Sequence, residues 1–282
     1  MSSLQFFYRT LEMRSSFFSF ILIPITLFSF MTSRGYANEA SPPIQVVAHR
    51  AHHVAIPENT IPAILSAIAI GCDYVELDVR TTADGHLVVL HDSSVDRTTD
   101  GTGKLKELTL AQVKSLDAGI KRGDKWKETR VPTFRECLEV CQGNIGIYLD
   151  HKDADIQQVV DILKEFGMVE QTLVYCYSVE TIVQYKQQAP GIRVMTGHPD
   201  SEEKIEELMR EVKPEMLDGN LSDWTEGQAV LARQLGAELW PDCLGESDNE
   251  GGWQRAVDLG STGIQSDKPE DLIDFLTKQG RR

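Results

Sequence analysis

Short apolar runs alternate with longer amphipathic stretches from about residue 44 to the end of the chain. The short runs are typical of strands buried in a parallel sheet, and the longer stretches repeat apolar residues with the period of a helix. We predict strands at Ile44–Ala48, Tyr74–Val79, Leu87–His91, Ile145–Asp150, Thr172–Tyr175, Ile192–Met195, Glu215–Leu217, Ala237–Trp240 and Gly263–Gln265. Helices are predicted at Ile61–Ile70, Ala154–Phe166, Val179–Gln188, Glu202–Val212, Glu226–Leu235, Trp253–Leu259 and Pro269–Lys278.

Repeated strand–helix units predict a parallel sheet, and this many units predict closure into a (β/α)8 TIM-type barrel. The pattern contains one strand too many for such a barrel. The turn at Thr81–Gly85 is too short for the crossover that parallel neighbours need. We therefore expect a barrel that is irregular around its second and third strands, with a small insertion after the third at about residues 93–134. Such loops are usually lids or substrate collars, and a tolerated surface insertion is the alternative for the far part.

The first 37 residues have the pattern of a secretory signal. Two arginines precede a mostly apolar run at 17–31, and Gly35-Tyr36-Ala37 follows as a small-x-small cleavage pattern. We interpret residues 1–37 as a signal peptide and 38–282 as the barrel domain. A membrane anchor is the alternative, but Pro24 interrupts a run shorter than the roughly 20 apolar residues of a spanning helix. The prediction is an exported protein, periplasmic or secreted, with no stable membrane insertion after cleavage.

Charge and cysteine content exclude some partners. The chain of 282 residues has a formal net charge of −15, and the predicted signal removes three arginines with one glutamate, so the mature chain is more acidic. Nucleic acid is not expected as a partner, because phosphate-backbone binding needs a basic stripe. A small phosphorylated ligand stays open, because local cations can reverse the sign inside a pocket. Five cysteines predict no disulfide framework; Cys137 and Cys141 are interpreted as packed thiols of one helix face.

Ionisable residues stand at the ends of several predicted strands, where a parallel sheet opens onto a site. Side chains at i and i+2 of a strand share a face, so Glu76 projects with Asp78, and Asp150 projects with Lys152. Three carboxylates in a barrel mouth repel one another unless a cation lies among them, and oxygen ligands favour Mg²⁺ or Ca²⁺ over zinc. Buried salt bridging, for example of Glu76 or Asp78 with Lys152, is the alternative.

The chain contains a series of short motifs: His49-Arg50, Pro57-Glu58-Asn59-Thr60, Glu76-Leu77-Asp78, Asp84-Gly85, His91-Asp92, Asp96-Arg97-Thr98-Thr99, Gly101-Thr102-Gly103, Asp150-His151-Lys152 and Gly263-Ile264-Gln265-Ser266-Asp267-Lys268-Pro269. In order and approximate spacing, they resemble the motifs of the glycerophosphodiester phosphodiesterase family. The resemblance runs from about His49 to the C-terminus. It implies a divalent metal at Glu76, Asp78 and Asp150, and a reaction in which a hydroxyl of the substrate itself can attack to give a cyclic phosphate.

His49 and His91 are the candidate catalytic residues. Each ends an apolar strand, and phosphodiester cleavage needs one group to accept a proton and another to donate one, in the range where histidine titrates. A lone histidine at a strand end is more often structural, but two beside a carboxylate cluster favour catalysis. Arg50 and Lys152 are expected to offset negative charge on the phosphoryl oxygens.

Other residues near these motifs have two interpretations each. Glu58 is assigned to substrate binding or to orienting a catalytic group, and Asn59 or Thr60 is expected to cap the helix that contains Pro62. Trp240 is expected to form an apolar wall for the glycerol carbons, and ordinary barrel packing is the alternative. His52 and His53 are interpreted as exposed loop residues rather than phosphate contacts.

The chain departs from the family pattern at four places. Ala51 replaces a glycine, Asp150 a glutamate and Ser266 a threonine, and Trp240-Pro241-Asp242-Cys243 replaces Trp-Thr-Val-Asn. Asp150 is shorter than glutamate by one methylene, which predicts a weaker or water-mediated metal contact. The last replacement touches the substrate wall, so the sequence predicts phosphodiester hydrolysis more firmly than glycerol selectivity.

The sequence therefore predicts metal-dependent hydrolysis of a small glycerophosphodiester to glycerol 3-phosphate and an alcohol, by an exported scavenger of lipid head groups. One alternative is a lysophospholipase D-like phosphodiesterase that releases cyclic phosphate. Another is a non-catalytic barrel that binds phosphodiesters, which the loss of a catalytic residue would have favoured.

Overall fold

The computed structural model describes residues 42–282, so the predicted signal peptide lies outside the described residues. The strands in this range are β1 (Gln45–Ala48), β2 (Tyr74–Thr81), β3 (Leu87–Val89), β4 (Gly146–His151), β5 (Thr172–Tyr175), β6 (Arg193–Thr196), β7 (Met216–Leu217), β8 (Glu238–Leu239), β9 (Asp242–Cys243) and β10 (Gly263–Ser266). The helices are α1 (Ile61–Ile70), α2 (Leu110–Ser115), α3 (Phe134–Cys141), α4 (Ile156–Glu165), α5 (Val179–Gln188), α6 (Glu202–Glu211), α7 (Glu226–Gln234), α8 (Glu250–Asp258) and α9 (Pro269–Lys278). Within 42–282, no helix has both the length and the apolar character needed to cross a membrane.

The strands form a closed barrel with eight parallel strand positions, as the sequence predicts; we call each position a stave. The sheet runs in the order β8-β7-β6-β5-β4-β2-β1-β10-β9, and every pairing along this path is parallel. β8 and β9 are two halves of one stave, because β8 pairs with β7 and β9 pairs with β10. Pro241 lies between the halves, and its missing N–H interrupts the ladder there.

β3 explains the extra strand in the sequence pattern. It pairs antiparallel with β2, with Val79 opposite Val89 and Thr81 opposite Leu87, and it lies off the barrel path. Gly85 in the connecting turn has φ +80°, a conformation that glycine adopts without strain. The prediction of a strand at Leu87–His91 was therefore right in type, but this strand is a hairpin arm and not a stave. The irregularity expected around the second and third strands is confirmed.

The insertion after β3 has a small hydrophobic cluster of its own. The cluster contains Val88, Leu90, Val95, Leu105, Val113, Ala118 and Val131. Thr109 and Gln112 form a capping box at the start of α2, which satisfies backbone donors of the first turn. The Trp126 Nε1–H donates to the Ala55 carbonyl oxygen at 3.0 Å, so the insertion contacts the loop that follows β1. α3 then completes the crossover from β2 to β4.

The interior of the barrel is a packed core beneath a polar mouth. Its central cluster contains Val47, Tyr148, Leu173, Met195, Met216 and Trp240. A Cβ at Gly263 would overlap the Trp240 ring, so glycine is required where β10 passes this side chain. All five cysteines lie in the described range as buried free thiols, and no disulfide forms among them.

Candidate functional site

A polar pocket of about 220 Å³ opens at the carboxyl ends of the staves, where barrel enzymes place their chemistry. Its lining residues among those described are His49, Glu76, Asp78, His91, Tyr148, Asp150, Tyr175, Tyr177, Asp218, Gly219, Asn220, Asp242, Leu244 and Gln265. Both predicted catalytic histidines and all three predicted metal ligands are in this lining.

The three predicted metal ligands form one acidic cluster. Glu76 and Asp78 project from β2, and Asp150 lies opposite Asp78 on β4. One carboxylate oxygen from each residue lies within 4.8 Å of the others. Burial first, and then repulsion by Asp78 and Asp150, raise the pKa of Glu76 well above its usual range. A set of three oxygen donors held this close has the composition that a hard divalent cation requires.

The cluster is only partly neutralised by the protein. Lys152 Nζ lies 3.2 Å from Asp78 Oδ1 and also contacts Asp150 Oδ2, so the predicted salt-bridge alternative is present at two of the three carboxylates. Burial would lower the pKa of Lys152, but these two carboxylates raise it. Burial also raises the pKa of Asp150, whose Oδ1 is buried without a hydrogen-bond partner in the described structure. Even with the Arg50 guanidinium 4.0 Å from Asp78 Oδ2, two cationic side chains against three carboxylates leave net negative charge and an unused oxygen, which fit an added cation.

The loop after β1 holds the cluster through its backbone. The Arg50 backbone N–H donates to Glu76 Oε2 at 2.7 Å, and Arg50 Nε lies 4.0 Å from Asp78 Oδ2. Arg50 has φ +48° and Ala51 φ +61°, so both adopt the left-handed conformation. Without a Cβ, glycine enters this conformation freely, which gives a physical reason for the glycine that the family pattern has at 51.

Asn59 orients a metal-ligand candidate and does not cap α1. Its Nδ2 donates to Asp78 Oδ2 at 2.7 Å, and its backbone takes φ +55°. Thr60 occupies the N-cap position, but its side chain makes no capping hydrogen bond and donates instead to the Pro57 carbonyl at 2.6 Å. Thr60 is thus the N-cap residue, as one of the two expectations had it, but no side chain caps the helix, and the tight loop directs the Asn59 amide inward, onto the neighbouring strand.

Each predicted catalytic histidine is paired with a carboxylate. His49 Nδ1 lies 2.7 Å from Asp267 Oδ1, and His91 Nδ1 lies 2.7 Å from Asp92 Oδ1. A carboxylate at Nδ1 fixes the ring orientation and leaves Nε2 available to exchange a proton. Burial would raise the pKa of Asp267, but the hydrogen bond with His49 lowers it.

His53 also belongs to this region, contrary to the expectation of an exposed residue. Its Nδ1 lies 2.7 Å from the His49 carbonyl oxygen, and its Nε2 lies 3.5 Å from Asp267 Oδ1. Burial is the main cause that lowers the pKa of His53. The loop folds back over the end of β1, which the local sequence pattern does not reveal. His52 contacts Ser66 Oγ at 2.9 Å instead.

Glu58 connects the loop after β1 to the insertion. Arg97 donates to both Glu58 oxygens, at 2.7 and 2.8 Å, and to Asp92 Oδ2 at 2.6 Å. Arg50 approaches Glu58 Oε1 at 3.3 Å. The hydrogen bond from Arg97 is the main cause that lowers the pKa of Asp92, to about 2. Glu58 thereby holds Arg97 against Asp92, the partner of His91, and it lines a neighbouring pocket rather than the one described above.

Trp240 is not among the described residues that line the pocket. It is 1% exposed, and its Nε1 donates to Glu238 Oε2 at 3.1 Å and to Thr262 Oγ1 at 3.0 Å. Its ring packs edge-on against Tyr74 in the barrel interior. The structure thus places Trp240 where the packing alternative predicted, and not in a wall for glycerol.

Sequence reasoning did not select several residues of the pocket as site residues. These are Tyr148, Tyr175, Tyr177, Asp218, Asp242, Gln265 and the histidine partner Asp267. Asp267 stands in a quoted motif, and its position one residue after β10 was an available signal. Gln265 stands in the same motif, Tyr148 lies two residues before Asp150 on β4, and Tyr177 lies two residues after Tyr175, so these positions also had a local signal. Asp218 and Asp242 lie on separate staves, and no local spacing joins them.

Comparisons with known proteins agree with this arrangement. The model of the glycerophosphoryl diester phosphodiesterase family matches residues 49–271. A glycerophosphodiester phosphodiesterase of Caldanaerobacter subterraneus is 30% identical over 255 residues, covering 83% of this chain and 98% of the relative. A solved glycerophosphodiester phosphodiesterase of Agrobacterium tumefaciens is 28% identical with a TM-score of 0.74, covering 82% of this chain and 99% of the other. An Oleispira antarctica phosphodiesterase, solved with its product sn-glycerol-3-phosphate, is 26% identical with a TM-score of 0.74, covering 83% of this chain and 97% of the other.

Proposed function

This chain belongs to the glycerophosphoryl diester phosphodiesterase family and is a phosphodiesterase; from that premise we propose that it hydrolyses glycerophosphodiesters to glycerol 3-phosphate and an alcohol. The observation that carries the proposal is the meeting of His49, His91 and the acidic cluster in one pocket. The Oleispira antarctica phosphodiesterase, which was solved with sn-glycerol-3-phosphate, supports the same product.

Glu76, Asp78 and Asp150 would hold one divalent cation, Mg²⁺ or Ca²⁺. When bound, such a cation polarises the phosphoryl group and offsets its negative charge. The fit rests on the chemistry of the donor set and on the unpartnered Asp150 Oδ1. Family membership supports dependence on a divalent metal.

The two histidines supply the proton transfers in this proposal. With Nδ1 engaged by Asp267 or Asp92, each imidazole keeps Nε2 for proton transfer. One removes the proton from the attacking oxygen, and the other returns a proton to the leaving alkoxide. Lys152 and Arg50 add positive charge near the phosphoryl oxygens.

The character of the pocket favours a small polar substrate over a lysophospholipid. Among its described lining residues, Leu244 is the one aliphatic side chain, and all others except Gly219 offer carboxylates, imidazoles, phenols or side-chain amides. An acyl chain would leave these polar groups without partners, which is unfavourable in a buried site. Hydrolysis of glycerophosphodiesters is therefore the function that we propose, rather than the lysophospholipase D-like alternative.

The test is the release of glycerol 3-phosphate from glycerophosphocholine by chain 38–282, first stripped of metal and then refilled with Mg²⁺ or Ca²⁺. His49→Ala and Glu76→Ala are expected to abolish metal-dependent turnover. His86→Ala is the matched control, because His86 is an exposed histidine in the β2–β3 turn. Phosphorus NMR distinguishes glycerol 3-phosphate from a cyclic phosphate. Folded protein without turnover under any metal condition would contradict the proposal.

We also propose export, on the strength of the sequence pattern in residues 1–37. Expression of the full chain is then expected to yield an extracytoplasmic protein whose N-terminus is residue 38. Recovery of uncleaved protein in the membrane fraction would favour the anchor alternative instead.

A further inference from the structure

The pocket has a second polar wall, formed by Asp218, Asp242 and Gln265, which we call the acceptor wall. Asp218 follows β7, Asp242 lies in β9, and Gln265 lies opposite Asp242 on β10. All three line the pocket that contains His49 and the acidic cluster. None of them has a part in the proton transfers or the cation site proposed above.

Two atoms of the acceptor wall are buried oxygens without partners in residues 42–282. Asp218 Oδ2 accepts from the Tyr148 hydroxyl at 2.6 Å, but Asp218 Oδ1 accepts nothing. Gln265 Nε2 donates to Asp242 Oδ1, but Gln265 Oε1 accepts nothing. Asp218 is 2% exposed and Gln265 is 5% exposed. Buried acceptors are nearly always satisfied in folded proteins, so these two oxygens indicate a missing donor.

The wall also brings two carboxyl groups together, and the opposing charge that acts on Asp242 comes from His49. In the part of the chain that the structure describes, neither Asp218 nor Asp242 forms an ion pair with a lysine or arginine. Burial first, and then repulsion by Asp242, raise the pKa of Asp218 well above its usual range. Burial likewise raises the pKa of Asp242. A cation placed between these carboxylates would relieve both the desolvation and the repulsion.

We propose that the acceptor wall binds a protonated primary amine on the alcohol part of the substrate. This inference rests on the proposed function, because it assumes that the phosphodiester lies between the histidines and the acidic cluster. An ammonium group has three donors and no acceptor, which matches oxygens that only accept. Its charge matches the paired carboxylates. Asp242 stands in the stretch that departs from the family pattern.

The test compares two esters that differ at one group. Glycerophosphoethanolamine carries the ammonium, and glycerophosphopropanol has a methyl group of similar size in its place. We expect kcat/KM to be roughly 10–100-fold higher for the ethanolamine ester, because the propyl ester leaves the buried oxygens unpaired. Asp242→Asn and Gln265→Leu are each expected to bring this ratio close to one. Because both esters have the same reacting phosphodiester, a change in the ratio reports on the amine site. Asp200→Asn, at an exposed carboxylate that pairs with Lys204, is expected to keep the ratio.

The outcomes separate this inference from the proposed function. Equal kcat/KM for the two esters in the wild type, or a ratio unchanged in both folded wall variants, would overturn the amine site while leaving phosphodiester hydrolysis intact. If the wild type hydrolyses neither ester, calorimetry measures the affinities for phosphoethanolamine and for propyl phosphate. Tighter binding of phosphoethanolamine than of propyl phosphate, lost in Asp242→Asn, would support the site, and equal affinities would reject it. Thermal unfolding checks that each variant is folded.

Discussion

Replacement of Glu76 by glutamine is expected to affect stability in opposite directions with and without metal. The amide is close in shape to the carboxylate, and its oxygen can still accept the hydrogen bond from the Arg50 backbone at 2.7 Å. Without metal, the change removes one of three mutually repelling carboxylates, so we expect Glu76→Gln to unfold at a higher temperature than the wild type at pH 8. With metal, the same change removes one ionised ligand, so we expect the metal to stabilise the variant less than the wild type.

The magnitude follows from binding linkage. A cation at a concentration of 100 times its Kd stabilises the folded state by about 2.7 kcal/mol, which is a rise in Tm of about 5–10 °C for a domain of this size. Loss of a carboxylate ligand is expected to weaken binding about 10–100-fold, at least as much as substitution of a residue that orients a metal ligand. At the same metal concentration the stabilisation then falls to about 0.4–1.4 kcal/mol, or a rise in Tm of about 1–5 °C.

The pH dependence of the metal-free protein has a definite sign. Burial and the neighbouring carboxylates raise the pKa of folded Glu76 above its value in the unfolded chain. The folded state therefore holds a proton that the unfolded state has lost, and stability falls as the pH rises through the interval between the two pKa values. Glu76→Gln is expected to flatten this part of the stability profile.

Differential scanning fluorimetry at several pH values, with chelator and then with Mg²⁺ or Ca²⁺, measures all of these shifts. Glu165→Gln is the matched control, because Glu165 is an exposed glutamate that pairs with Arg135 on the outside of the barrel. The reasoning would be refuted if metal raised Tm equally in the wild type and Glu76→Gln, or if the variant unfolded at a lower temperature than the wild type without metal.

Three further substitutions test the surroundings of the pocket. Asp267→Asn is expected to lower kcat roughly 10–100-fold, since it replaces the charged partner of His49 Nδ1, and steady-state kinetics with unchanged kcat would contradict that positioning role. Trp240→Phe loses the indole N–H that Glu238 and Thr262 share, and is expected to lower the free energy of unfolding by about 1–3 kcal/mol in urea titrations; a changed KM without loss of stability would instead favour a substrate wall. Arg97→Ala leaves the Glu58 carboxylate with fewer partners and is expected to cost about 1–3 kcal/mol by the same measurement, and an unaltered urea midpoint would contradict this.

The order and type of most elements follow from the amino-acid sequence alone. Periods of two and 3.6 residues follow from local backbone geometry, so α1, α5 and α9 begin and end where the pattern predicts. The same local geometry placed Glu76 and Asp78 on one face of a strand, and their meeting with Asp150 needs only that neighbouring staves be parallel. Motif order then pointed to the family without any knowledge of contacts.

Tertiary structure alone decided how distant segments meet. The apolar run of β3 reads like a stave, and only its pairing with β2 shows that it runs antiparallel. Trp240 lies at the end of β8, but closure of the barrel against Gly263 turns its ring into the core.

The acceptor wall shows the same limit on the opposite side of the pocket. Asp218, Asp242 and Gln265 stand on three staves and share no local pattern, because their proximity arises when the barrel closes. Local periodicity reports which way a side chain points along its own strand, whereas the partner that it meets depends on pairings between residues far apart in the chain. The chemistry of this wall, and the substrate group that it selects, are therefore properties of the folded barrel.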